Sequence, residues 1–228
     1  MSSLESFISQ SIQFFYTITA GLGFPSYGIA IIMFTIAIKV VLMPLTFKQV
    51  RAMKVMQELQ PQIQEIQKKH KNNPQKSQQL MMELYKEHKA NPFSGCWPLL
   101  VQLPILFALF KALRVFFDND PAIRPEFVNL DHAGFLWMTN LGQPDPYILP
   151  ILVAVGTFLQ QKITMGASLQ QNPNQKIFLY FMPLFIGWIS RTFPAALALY
   201  WLMYSVVGIF EQWLLRRPSE VKEEIKTK

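Results

Sequence analysis

A lysine lies inside a long apolar stretch of the sequence. From Tyr27 to Leu45 the chain is apolar except for Thr35 and Lys39, and a helix would place these two on one face because they are four residues apart. An ionised side chain deep in a membrane costs about 2.5 to 3.5 kcal/mol, and such residues usually face a water-filled cavity. The pattern predicts a polar groove whose lone positive charge attracts an acidic or polar guest. Two alternatives stay open: Lys39 reaches the nearby interface, or it pairs with Glu211.

The residue patterns of common enzyme sites do not occur in this sequence. A G-x-x-x-x-G-K-[ST] phosphate loop, an H-E-x-x-H zinc motif and a G-x-S-x-G nucleophile motif are all missing. The three histidines are too scattered for a zinc motif, and the one cysteine, Cys96, is expected to be a small packing residue. We therefore expect no enzyme activity, no cofactor and no metal.

The composition indicates that lipid surrounds much of the chain. Of 228 residues, 51% are hydrophobic and 15% are charged, against about 25% charged in an ordinary soluble domain. This composition excludes intrinsic disorder and argues against a soluble enzyme. The surplus apolar surface predicts an all-α integral membrane protein.

Five apolar segments are expected to cross the membrane. The predicted organisation is an N-terminal amphipathic interfacial helix (1–22), a first span (23–45), a cytoplasmic αα-hairpin (46–94), a second span (95–117), an extracytoplasmic loop (118–146), a third span (147–165), a cytoplasmic loop (166–176), a fourth span (177–190), a fifth span (194–215) and a basic tail (216–228). The first segment is not expected to be a cleavable signal peptide, because no basic residue precedes Lys39. A frayed lead-in is the alternative for it. The third and fourth spans are short, so either their polar ends are buried in the bundle or the bilayer thins around them.

The hairpin carries an apolar stripe that is rich in methionine. Methionine is flexible and suits adaptable contact surfaces, so the stripe could capture a guest chain. The alternative is that the stripe only holds the two hairpin helices together. The candidate capture residues are Met53, Met56, Met81 and Met82.

The distribution of charge predicts the orientation. The hairpin holds nine basic residues, whereas residues 118–146 hold one basic residue and five acidic ones. The positive-inside rule then places the N-terminus outside and both the hairpin and the C-terminus in the cytoplasm. Topology and anionic lipid thus account for most of the net charge of +7. DNA is not expected as a partner, and the short tail is a weak candidate for contact with ribosomal RNA.

Several strings in the sequence resemble the YidC/Oxa/Alb family of membrane-protein insertases. They cover nearly the whole chain in order, and the NP-x-x-GC-x-P and PDPY-x-LP patterns are the most specific. The strings are GIAIIMFTIAIKVVLMPLTFKQ, LQPQIQEIQKKH, LYKEHKANPFSGCWPLLVQLPILFALF, FLWMTNLGQPDPYILPIL and FMPLFIGWISRTFPAALALYW.

The resemblance implies a function and a site. It implies the short, bacterial form of the family without a large periplasmic domain. It also implies a hydrophilic groove, closed to the outside but open to the cytoplasm and to lipid. The groove positions it carries over are Lys39, where the family has an arginine, together with Thr35, Gln160 and Trp201, with Gln161 as the alternative to Gln160.

The expected function is insertion and folding of nascent membrane proteins in a bacterial plasma membrane, with Lys39 attracting acidic or polar client segments. The expected partners are nascent clients and the lipid bilayer, with the ribosome and the Sec translocon as further candidates. A small-solute transporter or channel is the alternative, and a structural assembly factor for other membrane complexes is a third class. Polar residues along a through-pore would favour the transporter, whereas a groove closed on one side would favour the insertase.

Overall fold

A computed structural model describes residues 3–88, 90–91, 97–165 and 173–216. Within them the fold is all-α, as the composition predicts. The helices are α1 (Ser3–Gly21), α2 (Tyr27–Lys69), α3 (Pro74–Glu87), α4 (Trp97–Phe116), α5 (Ile148–Met165), α6 (Pro173–Ser190) and α7 (Ala195–Arg216), with a short 3₁₀ turn at Leu130–His132. Cys96, most of the predicted loop 166–176 and nearly all of the tail lie outside the described residues.

Helix α2 contains 43 residues and runs through residue 45, where the sequence suggested the end of a span. Ser26 caps its start by accepting a hydrogen bond from the Ile29 amide. Helix α2 continues past residue 45 although it contains Pro44 and Pro61, because the strong helix formers Gln, Lys, Met and Glu dominate the sequence there. The apolar half of α2 is therefore continuous with the first helix of the hairpin.

The main core joins α1, α2, α4, α5 and α7 with the loop 118–146. Helix α7 packs against α2, α5 and α4, and α1 packs against α2 and α4. Tyr27 is fully buried at the centre of an aromatic cluster, stacked on Tyr16 and edge-on to Phe116 and Phe117. The loop is tied into this end of the bundle, since its residue Asn129 donates a backbone hydrogen bond to the Tyr27 hydroxyl.

The PDPY-x-LP pattern forms the start of α5. Asp145 Oδ1 accepts hydrogen bonds from the amides of Tyr147 and Ile148, and the Trp137 indole donates to Oδ2. Burial raises the pKa of Asp145, but these hydrogen bonds outweigh it and hold the pKa below its usual value. The aspartate of the pattern is therefore an ionised helix cap that also anchors the loop.

Within the described residues, three helices are long and apolar enough to cross a membrane. They are α2, α5 and α7, and the apolar part of α6, Ile177–Ser190, is shorter. Helix α6 also exposes a broad apolar surface that includes Tyr180, Phe181, Leu184 and Trp188. Such surfaces are not stable in water, so the protein is embedded in a membrane.

The hairpin consists of the second half of α2 and helix α3, joined by a turn in which Asn73 caps α3. A small cluster of Leu59, Ile63 and Leu84 holds the two helices together. Met81 packs against that cluster, whereas Met82 is 45% exposed. Met81 therefore helps to hold the two hairpin helices together.

We expect amide hydrogen exchange in α3 to be at least about tenfold faster than in α7, because three buried residues hold the hairpin together and α3 packs mainly on α2. Exchange measured by mass spectrometry on the protein in lipid nanodiscs tests this. Equal protection of α3 and α7 would show that the hairpin is docked rigidly on the bundle.

Candidate functional site

A groove of about 260 Å³ lies between α2, α5, α6 and α7, and we call it the polar groove for its many polar side chains, although apolar atoms form most of its surface. Its polar lining is unusual in a bundle with so much apolar surface, because each buried polar group must find a partner or water. The polar and charged lining residues are Lys39, Thr46, Gln49, Gln102, Thr157, Gln160, Gln161, Thr164, Tyr200, Trp201, Tyr204, Glu211 and Gln212.

Helical spacing explains how the two longest helices supply this lining. On α2, Lys39, Thr46, Val50 and Met53 are separated by seven, four and three residues, so they share one face. On α7, positions 200, 201, 204, 208, 211 and 212 share a face in the same way. The polar stripes of α2 and α7 therefore face each other across the groove.

Lys39 and Glu211 form a buried ion pair in the groove. The distance between Lys39 Nζ and Glu211 Oε2 is 2.8 Å, and each side chain is 5% exposed. Lys39 Nζ also lies 3.9 Å from the centre of the Tyr204 ring, a cation–π contact. The expectation of a lone positive charge is therefore wrong, because α7 brings Glu211 to Lys39 across 172 residues of sequence.

The ion pair is not fully satisfied. Glu211 Oε1 is buried without a hydrogen-bond partner, and the same holds for Gln161 Oε1. Burying two charges costs several kcal/mol per ion, roughly, and their attraction offsets this only with good geometry and further hydrogen bonds. A buried pair with an orphaned carboxylate oxygen is therefore weak as a purely structural element and suits a site that exchanges partners.

Three of the four predicted groove residues meet in the structure. Lys39, Gln160 and Trp201 all line the groove, and the Trp201 indole donates a hydrogen bond of 3.1 Å to Thr157 Oγ1. Both Gln160 and Gln161 line it, so the choice between them stays open.

Thr35 lies outside the groove. It is fully buried and donates a 2.7 Å hydrogen bond to the Ile31 carbonyl one turn earlier in α2. The polar face of α2 that lines the groove begins only at Lys39.

The methionines of the predicted capture surface are separated in the structure. Met53 lines the groove, while Met81 packs in the hairpin and Met82 is exposed. Met56 is half-buried and is not a groove residue.

Sequence reasoning missed Gln102 and Tyr204 as groove residues and treated Glu211 only as an alternative partner. Gln102 donates a 3.0 Å hydrogen bond to the Tyr200 hydroxyl, which links α4 to the groove face of α7. The signal that could have found the α7 residues is the spacing of Tyr204, Gly208 and Glu211 on one helical face.

Hydrogen bonds fix the end of the groove next to the hairpin. Gln57 of α2 donates to the carbonyls of Thr164 and Met165, each at 3.2 Å. The Gln212 side chain of α7 donates to the Thr164 hydroxyl. The last turn of α5 is thus held between the hairpin base and α7.

The groove is closed at the opposite end. Residues Ala30, Ile31 and Phe34 of α2 are buried in the main core. The loop 118–146 continues this closure, since the carbonyls of Leu141 and Gln143 accept hydrogen bonds from the first amides of α7. From Lys39 to Met53 the groove follows α2 for roughly 21 Å towards the hairpin, at 1.5 Å per residue.

Comparisons with known proteins find relatives that match most of this chain. The family model described as "60Kd inner membrane protein" matches residues 18–223. A protein of Oceanobacillus iheyensis named "Membrane protein insertase YidC" is 42% identical over 222 residues, which cover 93% of this chain and 83% of the relative. "Membrane protein insertase MisCA" of Bacillus subtilis is 37% identical over 220 residues, 94% of this chain and 80% of the relative. A Geobacter sulfurreducens protein named "Membrane protein insertase YidC" is 39% identical, but the match spans 37% of its length.

Proposed function

The chain belongs to the 60Kd inner membrane protein family, and from that premise we propose that it inserts nascent membrane proteins into the lipid bilayer and helps them fold. The observation that carries the proposal is the polar groove, which is closed beneath the loop 118–146 and extends towards the hairpin. A groove with one closed end can take up a polar chain segment without conducting ions or solutes across the membrane.

In the proposed reaction, the groove holds the polar flank of a client while its apolar segment moves into lipid. Lys39 binds acidic or polar residues of that flank once they displace its partner Glu211. Gln160, Gln161 and Thr157 form hydrogen bonds with the flank. These bonds replace the hydrogen bonds to water that the client backbone loses when it enters the groove. Transfer of about 20 apolar residues into hydrocarbon supplies the driving force, and no nucleotide is required.

We assign the first contact with the client to the hairpin. The exposed Met82 of α3 and the groove residue Met53 of α2 offer adaptable apolar contacts to the client. Those basic residues of the hairpin that the structure describes are exposed and suit contact with the ribosome. Cooperation with the Sec translocon is a further part of the proposal.

The alternative, a small-solute transporter or channel, finds less support. Such a protein needs polar residues along a path through the membrane, and coupled transporters usually place an acidic residue at midplane. Glu211 is an acidic groove residue, but the packed core around Tyr27 and Phe34 blocks any continuation of the groove to the loop 118–146.

Reconstitution tests the proposed function. Proteoliposomes that contain the purified full chain should insert a single-span client several-fold more efficiently than liposomes without protein, scored by protease protection. A client with its apolar segment replaced by a polar one is the control. Equal insertion with and without the protein would contradict the proposal.

The proposed orientation places the hairpin in the cytoplasm and the loop 118–146 outside. After replacement of the native thiol by Cys96→Ser, a membrane-impermeant maleimide should label Glu126→Cys in intact cells and leave Gln75→Cys unlabelled, because both positions are exposed but on opposite sides. After lysis both should react. Labelling of Gln75→Cys in intact cells would overturn the orientation.

A further inference from the structure

The charged residues of the groove balance each other. Among the described residues that line it, Lys39 and Glu211 carry formal charges, and they pair at 2.8 Å. The groove therefore presents no net charge when empty, and Lys39 cannot attract a distant acidic segment as a free cation would.

The pair is arranged so that its carboxylate can turn. Glu211 Oε2 accepts from Lys39, whereas Oε1 is buried and has no hydrogen-bond partner. No hydrogen bond at Oε1 resists rotation of the carboxylate. Lys39 is held independently of that rotation by its contact with the Tyr204 ring.

We propose that Glu211 determines which client segments the groove accepts. In the empty groove the Glu211 carboxylate is bound to Lys39. An acidic client segment therefore has to displace Glu211, which competes for Lys39 at an effective concentration of about millimolar or more because both belong to the same chain. Once displaced, Glu211 offers a carboxylate to a basic or hydrogen-bond-donating side chain of the client. The groove thus has two adjacent subsites of opposite charge, an inference that rests on the proposed insertase function.

The test uses proteoliposomes with the full chain and three single-span clients that differ only in two flanking residues: two Asp, two Asn or two Lys. Glu211→Gln removes the competitor and the acidic subsite together. The insertion of the Asp client relative to the Asn client should rise about fivefold or more, which corresponds to a modest coupling free energy between two sites. The insertion of the Lys client relative to the Asn client should fall. Glu126→Gln makes the same chemical change on the exposed loop and should alter neither ratio.

A second variant guards against a folding defect. Lys39→Gln/Glu211→Gln leaves no buried charge without a partner, so it should reach the membrane in normal amounts. Without both charges, the three clients should be inserted with equal efficiency.

Two results would overturn the inference. One is a Glu211→Gln protein that changes all three clients by the same factor at equal protein amounts. The other is a double variant that keeps the flank ratios of the unmodified chain. If the clients are inserted but the flank ratios do not depend on Glu211, this inference alone is rejected. If no client is inserted better than in protein-free liposomes, the proposed function is rejected as well.

Discussion

Replacing Lys39 with glutamine should reduce insertion of a client with an acidic flank about tenfold, while a matched client with a neutral flank changes far less. A client carboxylate about 6 Å from the Lys39 ammonium gains roughly 3 kcal/mol at an effective dielectric constant of about 20. Half of this free energy corresponds to about a tenfold change in an equilibrium constant. The effect is enhanced because Glu211 remains in the groove and repels the acidic flank once Lys39 has lost its charge. The measurement compares the two clients in the same membranes, with the amount of the variant determined alongside.

Lys39→Arg is the matched control for this experiment. It keeps the charge and a similar reach, so both clients should be inserted nearly as well as by the unmodified chain. Equal loss of both clients in Lys39→Gln at normal protein amounts would show that the charge does not select the flank.

Neutralising either partner of the ion pair should lower the free energy of unfolding by about 3 kcal/mol. This value is at the lower end of the range for buried pairs, because water can reach the adjoining groove. In Lys39→Gln a buried carboxylate loses its partner, and in Glu211→Gln a buried ammonium does. For a chain of this size the loss corresponds to a decrease in Tm of roughly 6–12 °C. Thermal unfolding in detergent, followed by intrinsic fluorescence, measures it.

The double variant completes the cycle. Lys39→Gln/Glu211→Gln should recover most of the lost stability, because two neutral side chains of similar size need no charge partner. If the two single losses simply add in the double variant, the two residues do not interact in the membrane-embedded protein.

Much of the fold follows from local sequence. The apolar runs, the turn at Asn73 and the Asp145 cap each depend on neighbouring residues, and α3, α5 and α7 begin close to the expected positions. Local sequence does not predict the continuity of α2 through residue 45, because the change from apolar to polar composition there is typical of the end of a span. Composition reports what surrounds a helix, whereas helix propensity decides whether it continues.

The site was predictable where one helix carries the signal. Lys39 is visible as a charge in an apolar stretch, and Gln160 as a polar residue near the end of one. Thr35 shows the limit of this reasoning: it shares a face with Lys39, yet it is fully buried and donates its hydrogen bond to the Ile31 carbonyl of its own helix. The pairing of Lys39 with Glu211 depends on how α2 and α7 pack, which spacing within either helix does not determine.

The ion pair also changes how the charge in the groove is understood. A lone cation would hold acidic segments whenever they came near and would release them slowly. A cation paired with Glu211 binds a segment only by exchange, and the carboxylate can return when the segment leaves. We therefore expect the groove to bind client flanks transiently, as repeated insertion cycles require.

Site-specific photocrosslinking of a ribosome-bound client tests the central claim most directly, namely that client segments occupy the groove. A photoreactive phenylalanine analogue is placed at Gln160 or Met53 in the groove, or at the exposed control positions Leu136 and Glu126 in the loop 118–146. We expect crosslinks from the two groove positions to the polar flank of the client, which appear when its apolar segment leaves the ribosome and disappear on chain release. Crosslinks of equal strength from the loop positions, or none from the groove at any chain length, would contradict it.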